Sequence, residues 1–323
     1  MFMGLMDCYI CLNMVYFGRC MTDKHHERVT FKGFVNQFMA ITMDKFAFSA
    51  NSIQIYPLSM APAGIITPSP LFRAEYNFLL LITEGGGKQQ IDNTLFDLHP
   101  NDILFIREGH LNAIHSIEAN TDGYFIYMES RLLPQLFADS TLLHRFTFHP
   151  KHSVSGADLK WLVNCCKLLI NQQNTSPHAE AIRVVLLRAI WLKLAEASAA
   201  ARSRPDRPSE ITMLFKERLY EHFSTTRNVA FYADSLAVSE NYLNRCVNRA
   251  TNKPPKQHIN EMVIIHSKLL LQDRSKDIAQ VAFALNFSDP SYFGRFFKQL
   301  TGQTPSEYRN TLRQDLSGYR HDF

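Results

Sequence analysis

Asp277-Ile278-Ala279-Gln280-Val281-Ala282-Phe283-Ala284-Leu285-Asn286-Phe287-Ser288-Asp289-Pro290-Ser291-Tyr292-Phe293-Gly294-Arg295-Phe296-Phe297-Lys298, then Thr301-Gly302-Gln303-Thr304-Pro305-Ser306-Glu307-Tyr308-Arg309, is the stretch that decides the architecture. Ile278, Val281, Ala282 and Leu285 recur at helical spacing, which predicts a short amphipathic helix. Asn286 sits where the chain must turn, and Asn tolerates a left-handed backbone. Asp289 suits an N-cap and Pro290 the first helical position after it. The next helix carries Phe293, Phe296, Phe297 and Leu300 on one face. Ser291, Gly294, Arg295 and Lys298 fall on the other at i, i+3, i+4, i+7. Gly302 can end it. Helix, tight turn and helix follow one another within about twenty-five residues.

The same pattern occurs once earlier. Val229-Ala230 matches Ile278-Ala279, Ala233 matches Ala282, and Val238-Ser239-Glu240 matches Phe287-Ser288-Asp289, all at an offset of 49. Beyond one extra residue, placed at Pro290, the offset is 50. Tyr242-Leu243-Asn244-Arg245 then matches Tyr292-Phe293-Gly294-Arg295, Thr251 matches Thr301 and Pro255 matches Pro305. The units are expected at 229–250 and 276–299. In the first, Leu243, Cys246, Val247 and Ala250 read as inward, and Asn241, Asn244, Arg245 and Asn248 as outward. Amides bond bidentately to adenine and guanidinium groups to guanine in the major groove, and small residues such as Ser291 and Gly294 permit close approach. An ordinary solvated face is the competing reading, and two units in register argue against it. A helix over about Lys256 to Leu271, with Ile259, Val263, His266 and Leu270 on one stripe, joins the units. A stiff rod suits two helices that must enter one face of B-DNA roughly 34 Å apart.

Residues 210–313 resemble the paired helix-turn-helix domain of AraC/XylS-type transcription regulators. The resemblance implies base or phosphate contact by Asn241, Asn244 and Arg245 in the first unit and by Ser291 and Arg295 in the second. Three positions depart from the family pattern. Asn286 stands where the turn usually has Gly, Val263 where the linking helix often has Arg, and Ile265 where it has a polar residue. The last two suggest extra apolar surface, for the first domain or a second copy of the chain.

Working back from this domain, Ala199 to Pro208 is small, polar and carries two prolines, so 201–208 is expected to be a linker and 209–313 the DNA-binding domain, with 314–323 a tail. Ser209 would cap a helix ending near Phe223. Before the linker, 151–200 reads as two connecting helices. Leu159, Leu162, Val163, Cys166, Leu169 and Ile170 form one stripe after Ser155, and Ile182, Val185, Leu186, Ala189 and Leu194 form the other. They either pack on the first domain or meet a second copy.

About Phe31 to Ser130 reads as strands, within a first domain expected over 31–150. Ser52 to Tyr56 alternates, Asn77 to Thr83 is an apolar run ending at Gly85-Gly86-Gly87, and Gln90 to Leu98 folds around Asp92-Asn93. His99 to Asp102 is a turn, and Ile103–Ile106 and Tyr124–Met128 are further strands. A small antiparallel barrel or sandwich is expected. The pieces Gly85-Gly86-Gly87, His99 to Ile106 and His110 to His115 resemble a cupin-type sensor domain, which implies a small-molecule effector or a dimer-forming role. Tyr76, Phe78, Phe105 and Tyr127 are pocket candidates, with plain core as the alternative. His110, His115 and Glu118 lack the close His pair of a metal-binding cupin, so neither metal nor cofactor is expected.

No nucleophile elbow, zincin helix, phosphate loop or dinucleotide fingerprint occurs, so an enzyme is not expected. The chain of 323 residues, 46% hydrophobic and 20% charged, excludes wholesale disorder and collagen-like or low-complexity classes. A net charge of +4 permits a nucleic-acid partner without demanding one. Six cysteines, two of them adjacent, fit a reducing cytoplasm better than a disulfide scaffold. Cys8 and Cys11 form a lone pair without two further zinc ligands. Residues 1–30 read as an extension or a misassigned start, with Met21 the preferred start and a membrane-associated segment as the lesser alternative. The expectation is a multi-domain α+β chain: an all-β cupin-like barrel with a helical appendage, then an all-α double helix-turn-helix domain. Double-stranded DNA is the expected partner. An effector, RNA polymerase and a second copy are candidates, and no membrane is expected. A metal-binding cupin enzyme fused to a DNA reader, or an effector-free architectural DNA binder, remain as alternatives. The effector, the operator and the sign of regulation stay open.

Overall fold

The computed structural model describes residues 29–39, 52–137, 140–172, 177–197 and 206–318. The first twenty residues, the expectation for a start at Met21, and residues 201–205 of the expected linker lie outside these. The chain divides into two units between Met213 and Leu214.

The first unit begins with helix α1 (Phe31–Phe38), where strand had been expected. Thr30 caps it through the Gly33 N–H, and Phe31, Phe34, Val35 and Phe38 bury one face. The strands are β1 (Ile53–Pro57), β2 (Phe72–Arg73), β3 (Asn77–Glu84), β4 (Gly87–Ile91), β5 (Thr94–Leu98), β6 (Asp102–Ile106), β7 (Leu111–Ile117) and β8 (Asp122–Met128), with a single-turn helix α2 (Ala61–Gly64) after β1. Two short helices follow, α3 (Leu133–Leu136) and α4 (Ser140–Phe148), then β9 (Lys151–Ser153). Antiparallel pairing arranges them as β1-β8-β3-β6-β9 and β2-β7-β4-β5.

The first sheet is covered on both faces. Leu79 and Leu81 of β3, Ile103 and Phe105 of β6, and Ile126 and Met128 of β8 enter one core. Their neighbours Phe78, Ile82, Leu104 and Ile106 enter another, with the second sheet and α1. This explains the unbroken apolar runs of β3 and β6, since a strand buried on both faces loses the polar alternation. Gly85-Gly86-Gly87 carries the chain from one sheet to the other. A Cβ on Gly86 would lie 2.0 Å from the Leu98 carbonyl oxygen, so only glycine fits this crossing.

Helices α5 (Gly156–Asn171) and α6 (Ala179–Ala197) cover the outer face of the first sheet. They belong to this unit's core and are not a separate connector, and β9, within the expected connector, pairs with β6. Ser155 caps α5 by accepting the Asp158 N–H. Of the expected α5 stripe, Ile170 is exposed and Cys165 is buried instead. The buried face of α6 is Ala179, Arg183, Leu187, Ile190, Trp191 and Leu194, whereas Ile182 and Val185 face solvent. This helix is apolar almost all round, so periodicity could not choose the face. Trp191 does, with its ring 4.6–4.9 Å from Phe137, Phe105 and Phe146.

Helix α7 (Arg207–His222) starts two residues before the expected Ser209. Asp206 caps it by accepting the Ser209 N–H, and Pro208 fits the first turn, where its missing donor costs nothing. The second unit continues with α8 (Val229–Ser235), α9 (Glu240–Thr251), α10 (Pro255–Gln272), α11 (Ile278–Ala284), α12 (Pro290–Thr301) and α13 (Pro305–Gly318). The last helix runs through the start of the expected tail. Val263 and Ile265 are buried, together with Ile259, His266 and Leu270. Among the described residues no helix is long and apolar enough to cross a membrane.

Candidate nucleic-acid interface

The two helix-turn-helix units are built by the same local chemistry. Asn228 caps α8 and Ser239 caps α9, while Asp277 forms a reciprocal capping box with Gln280 on α11 and Asp289 caps α12. Ala237 and Asn286 hold left-handed backbones at the two turns. The amides of Val238 and Phe287 then bond the carbonyls of Ala233 and Ala282. These pairs keep the offset of 49, but the caps Ser239 and Asp289 are 50 apart. The inserted residue is therefore Ser288, before the cap, and not Pro290. The repeat extends further: α9 and α12 end on left-handed Asn252 and Gly302, and Pro255 and Pro305 open the helices that follow.

Leu243, Cys246 and Val247 anchor α9, and Phe293 and Phe297 anchor α12. Ala250 and Leu300, expected inward, are exposed, each in the last turn of its helix. On the outer face of α9, Asn241, Arg245 and Asn248 are exposed and Asn244 is half-buried, its amide donating to the Glu240 carbonyl at 2.9 Å. The Arg245 guanidinium lies 5.2 Å over the Tyr242 ring.

On α12, Ser291, Arg295 and Lys298 are exposed and Gly294 is half-buried. The N–H groups of Ser291 and Tyr292 donate to the Asp289 carboxylate and hold its pKa below the ordinary range. Arg295 lies at the 4.0 Å limit of an ion pair with Asp289, which leaves its guanidinium largely uncommitted. A Cβ on Gly294 would meet nothing within 4 Å. Among the described residues, nothing requires glycine there.

Sequence reasoning missed Arg227 and Lys256. The Arg227 guanidinium lies 3.7 Å from the Phe287 ring centroid and donates to the Asn286 carbonyl, and Lys256 donates to the Arg227 carbonyl. These contacts span up to 59 residues, so no local spacing announces them.

In the first unit, a cavity of about 80 Å³ lies between the sheets, lined by Phe34, Phe72, Tyr76, Phe78 and Phe125 among others. Phe105 packs instead on Trp191, in the core on the other face of the first sheet. Tyr127 does not line the cavity, and its ring packs at a tilt against Phe31 and Tyr76. His110 is engaged by Asp92 at 2.7 Å and His115 by Gln90 at 2.8 Å. Among the described residues no three His, Cys, Asp or Glu side chains gather as metal ligands.

One unit carries two turn-linked helix pairs on one rod, each presenting an amide- and guanidinium-bearing helix, and the other is a sheet domain with an internal cavity; this is the make-up of a DNA-binding regulator with a ligand-binding domain. The family model described as a helix-turn-helix domain matches residues 232–311, and that described as an AraC-like ligand binding domain matches 75–190. The Msm operon regulatory protein of Streptococcus mutans is 23% identical over 254 residues, 76% of this chain and 88% of that one. The transcriptional activator RhaR of Mannheimia succiniciproducens is 23% identical over 262 residues, 79% and 92% of the two chains. The regulator YisR of Bacillus subtilis is 29% identical over 98 residues, and the match spans 34% of that protein. Among solved structures, ToxT from Vibrio cholerae aligns over 80% of this chain and 97% of its own, with 15% identity and a TM-score of 0.39. The chain belongs to the AraC family of transcription regulators.

Proposed function

We propose that this regulator reads a two-part DNA site, with α9 and α12 in successive major-groove segments. Asn241, Asn244, Arg245 and Asn248 form one reading face, and Ser291, Gly294, Arg295 and Lys298 the other. The observation that carries this reading is the matched exposure of the two faces. Each presents the same four register positions outward from a helix pinned by a buried apolar stripe. Cations only slightly outnumber acids in the domain, so nonspecific affinity is weak and amide and guanidinium groups supply the discrimination.

The first unit takes a small-molecule effector in its apolar cavity and performs no catalysis. The protein works in the cytoplasm as a homodimer, and its bound form acts on RNA polymerase. Exposed Trp161 and Leu168 on one face of α5, and Ile182, Val185 and Leu192 on one face of α6, support a dimer seam.

Selection of bound duplexes from a random DNA library by the full chain, at a stated salt concentration, tests the reading. The expected result is an enriched site with two short elements about ten base pairs apart. Salt-sensitive background binding without enrichment would overturn it. On the enriched duplex, Arg245→Ala or Arg295→Ala should cost about 1–3 kcal/mol and relax preference at one position. Equal losses on every duplex would assign these side chains to phosphate.

A further inference from the structure

Asn286 departs from the glycine usual at its turn, and the departure has a contact to explain it. Its side-chain Nδ2 donates to the Thr225 carbonyl at 2.7 Å, 61 residues away. In return, Nη2 of Arg227 donates to the Asn286 carbonyl at 2.7 Å. Thr225 and Arg227 lie in the segment that leads into α8, the first helix of the first unit. Asn286 is the turn of the second unit. The two bonds run in opposite directions between the same pair of segments and form a reciprocal clasp.

Two further contacts tighten it. The Arg227 guanidinium lies over the ring of Phe287, which is itself buried against Phe293 and Phe296 in the second unit. Lys256, in the first turn of α10, donates to the Arg227 carbonyl at 2.9 Å. The clasp therefore joins three elements: the entry to the first unit, the start of the rod, and the turn of the second unit. Asn244 and Glu240 of α9 line the same open groove, so the clasp adjoins the first reading helix.

We infer that Asn286 and Arg227 are positioning residues that lock the second helix-turn-helix unit at one angle to the first, and that this lock sets which spacing of DNA half-sites the protein accepts. The inference rests on the two-part reading of DNA proposed above. The rod fixes the separation of the two units, and what can still vary is how the second unit seats against it. A second tie opposes that shift. On B-DNA, one added base pair moves the second element by about 3.4 Å and turns it by about 34°. A rigid pair of heads rejects that displacement, and an unlocked pair follows it. Glycine at position 286 would hold the left-handed backbone equally well but could donate no bond to Thr225.

Asn286→Gly and Asn286→Asp are the test variants. The first keeps the turn's backbone, and the second keeps the side chain's size without its donor. The full chain and both variants are taken through the random-library selection, and affinity is then measured on the enriched duplex with one base pair inserted or deleted between its elements. Wild type is expected to enrich a single spacing and lose about tenfold or more on the altered duplexes, on the scale of one or two net hydrogen bonds. Both variants should enrich the same elements with a broad range of spacings and lose less than about threefold. A variant that keeps the single spacing and the full loss overturns the lock.

A second measurement needs no DNA. Spin labels on Arg249→Cys and Gln299→Cys, with Cys8, Cys11 and Cys20 replaced by Ser, report the distance between the ends of α9 and α12. The lock predicts a narrow distribution that broadens with Asn286→Gly. An unchanged width overturns it, even if wild type enriches no DNA and the reading of DNA itself has failed.

Discussion

Ala237 and Asn286 occupy the same place in the two helix-turn-helix units, 49 residues apart, with φ of 52° and 56°. Only one of them suits it. A Cβ-bearing residue in the left-handed region costs about 1–2 kcal/mol, and Asn offsets this through local polar contacts that Ala lacks. Ala237→Gly should therefore stabilise the protein by up to about 1 kcal/mol after the added chain entropy of glycine is subtracted. Chemical denaturation checks this, and an unchanged or lowered midpoint would refute the strain.

Gly294 should show effects of opposite sign on folding and binding. It lies inside α12, where Gly costs about 0.8–1 kcal/mol relative to Ala. The open space around its missing Cβ lets Ala in without a clash. Gly294→Ala is expected to raise the melting temperature and to weaken binding to the selected duplex by about tenfold or more if α12 lies against bases or backbone. Full affinity in a stabilised variant would place Gly294 away from DNA.

His258 should make the second unit sensitive to acid. Burial holds its imidazole pKa down at about 4; Lys216 and Lys253 push the same way and Glu261 opposes them. Its Nε2 meets the Thr251 hydroxyl at 2.8 Å. The unfolded chain titrates near the ordinary value of 6.5, so it takes up the proton first as pH falls. Stability is full above about pH 6.5 and is lost progressively towards about pH 4. His152, held at about 4 by its own burial, gives the first unit a loss in the same window. His258→Gln should reduce the drop in denaturation midpoint between about pH 7.5 and about pH 5. An equal drop in wild type and variant would assign the effect elsewhere.

The exposed apolar faces of α5 and α6 predict the behaviour of Leu168→Glu combined with Val185→Glu. These side chains are 56% and 65% exposed, so charge on them leaves the core intact. Sedimentation should find monomer for this variant and dimer for wild type. An unchanged mass would dispose of the seam. Leu162 is wholly buried, and a charge there would report only misfolding.

The helix-turn-helix units were legible because their signals are local. A cap, a turn residue and a helix stripe lie within about twenty-five residues, and the repeat doubles them. Even there the inserted residue was placed at Pro290 when it is Ser288, because residue likeness is a poorer guide to register than the caps at Ser239 and Asp289. The strands of the first unit were legible where turns bounded them, as at Asp92-Asn93. Strand β7 went unread because its His and Asn hide the alternation, whereas α1 was legible and overlooked: Phe31, Phe34, Val35 and Phe38 fall at i, i+3, i+4 and i+7, the spacing of a helix. The buried face of α6 was misread because the helix offers apolar side chains in all directions, and only the aromatic pocket that receives Trp191 distinguishes them. The Thr225–Asn286 contact could not be read at all, since it joins segments 61 residues apart and depends on a finished tertiary structure.

The packing of Trp191 has an optical consequence. The chain has two tryptophans, and both lie in the ligand-binding unit: Trp191 enclosed by three aromatic rings, Trp161 open to solvent. Light absorbed at the red edge of the protein spectrum is therefore emitted from that unit alone, the shielded indole to the blue and the wetted one to the red. A compound in the cavity lies on the opposite face of the sheet from Trp191 and alters the blue component only by repacking that sheet, assembly through α5 alters the red, and the DNA-reading heads stay dark.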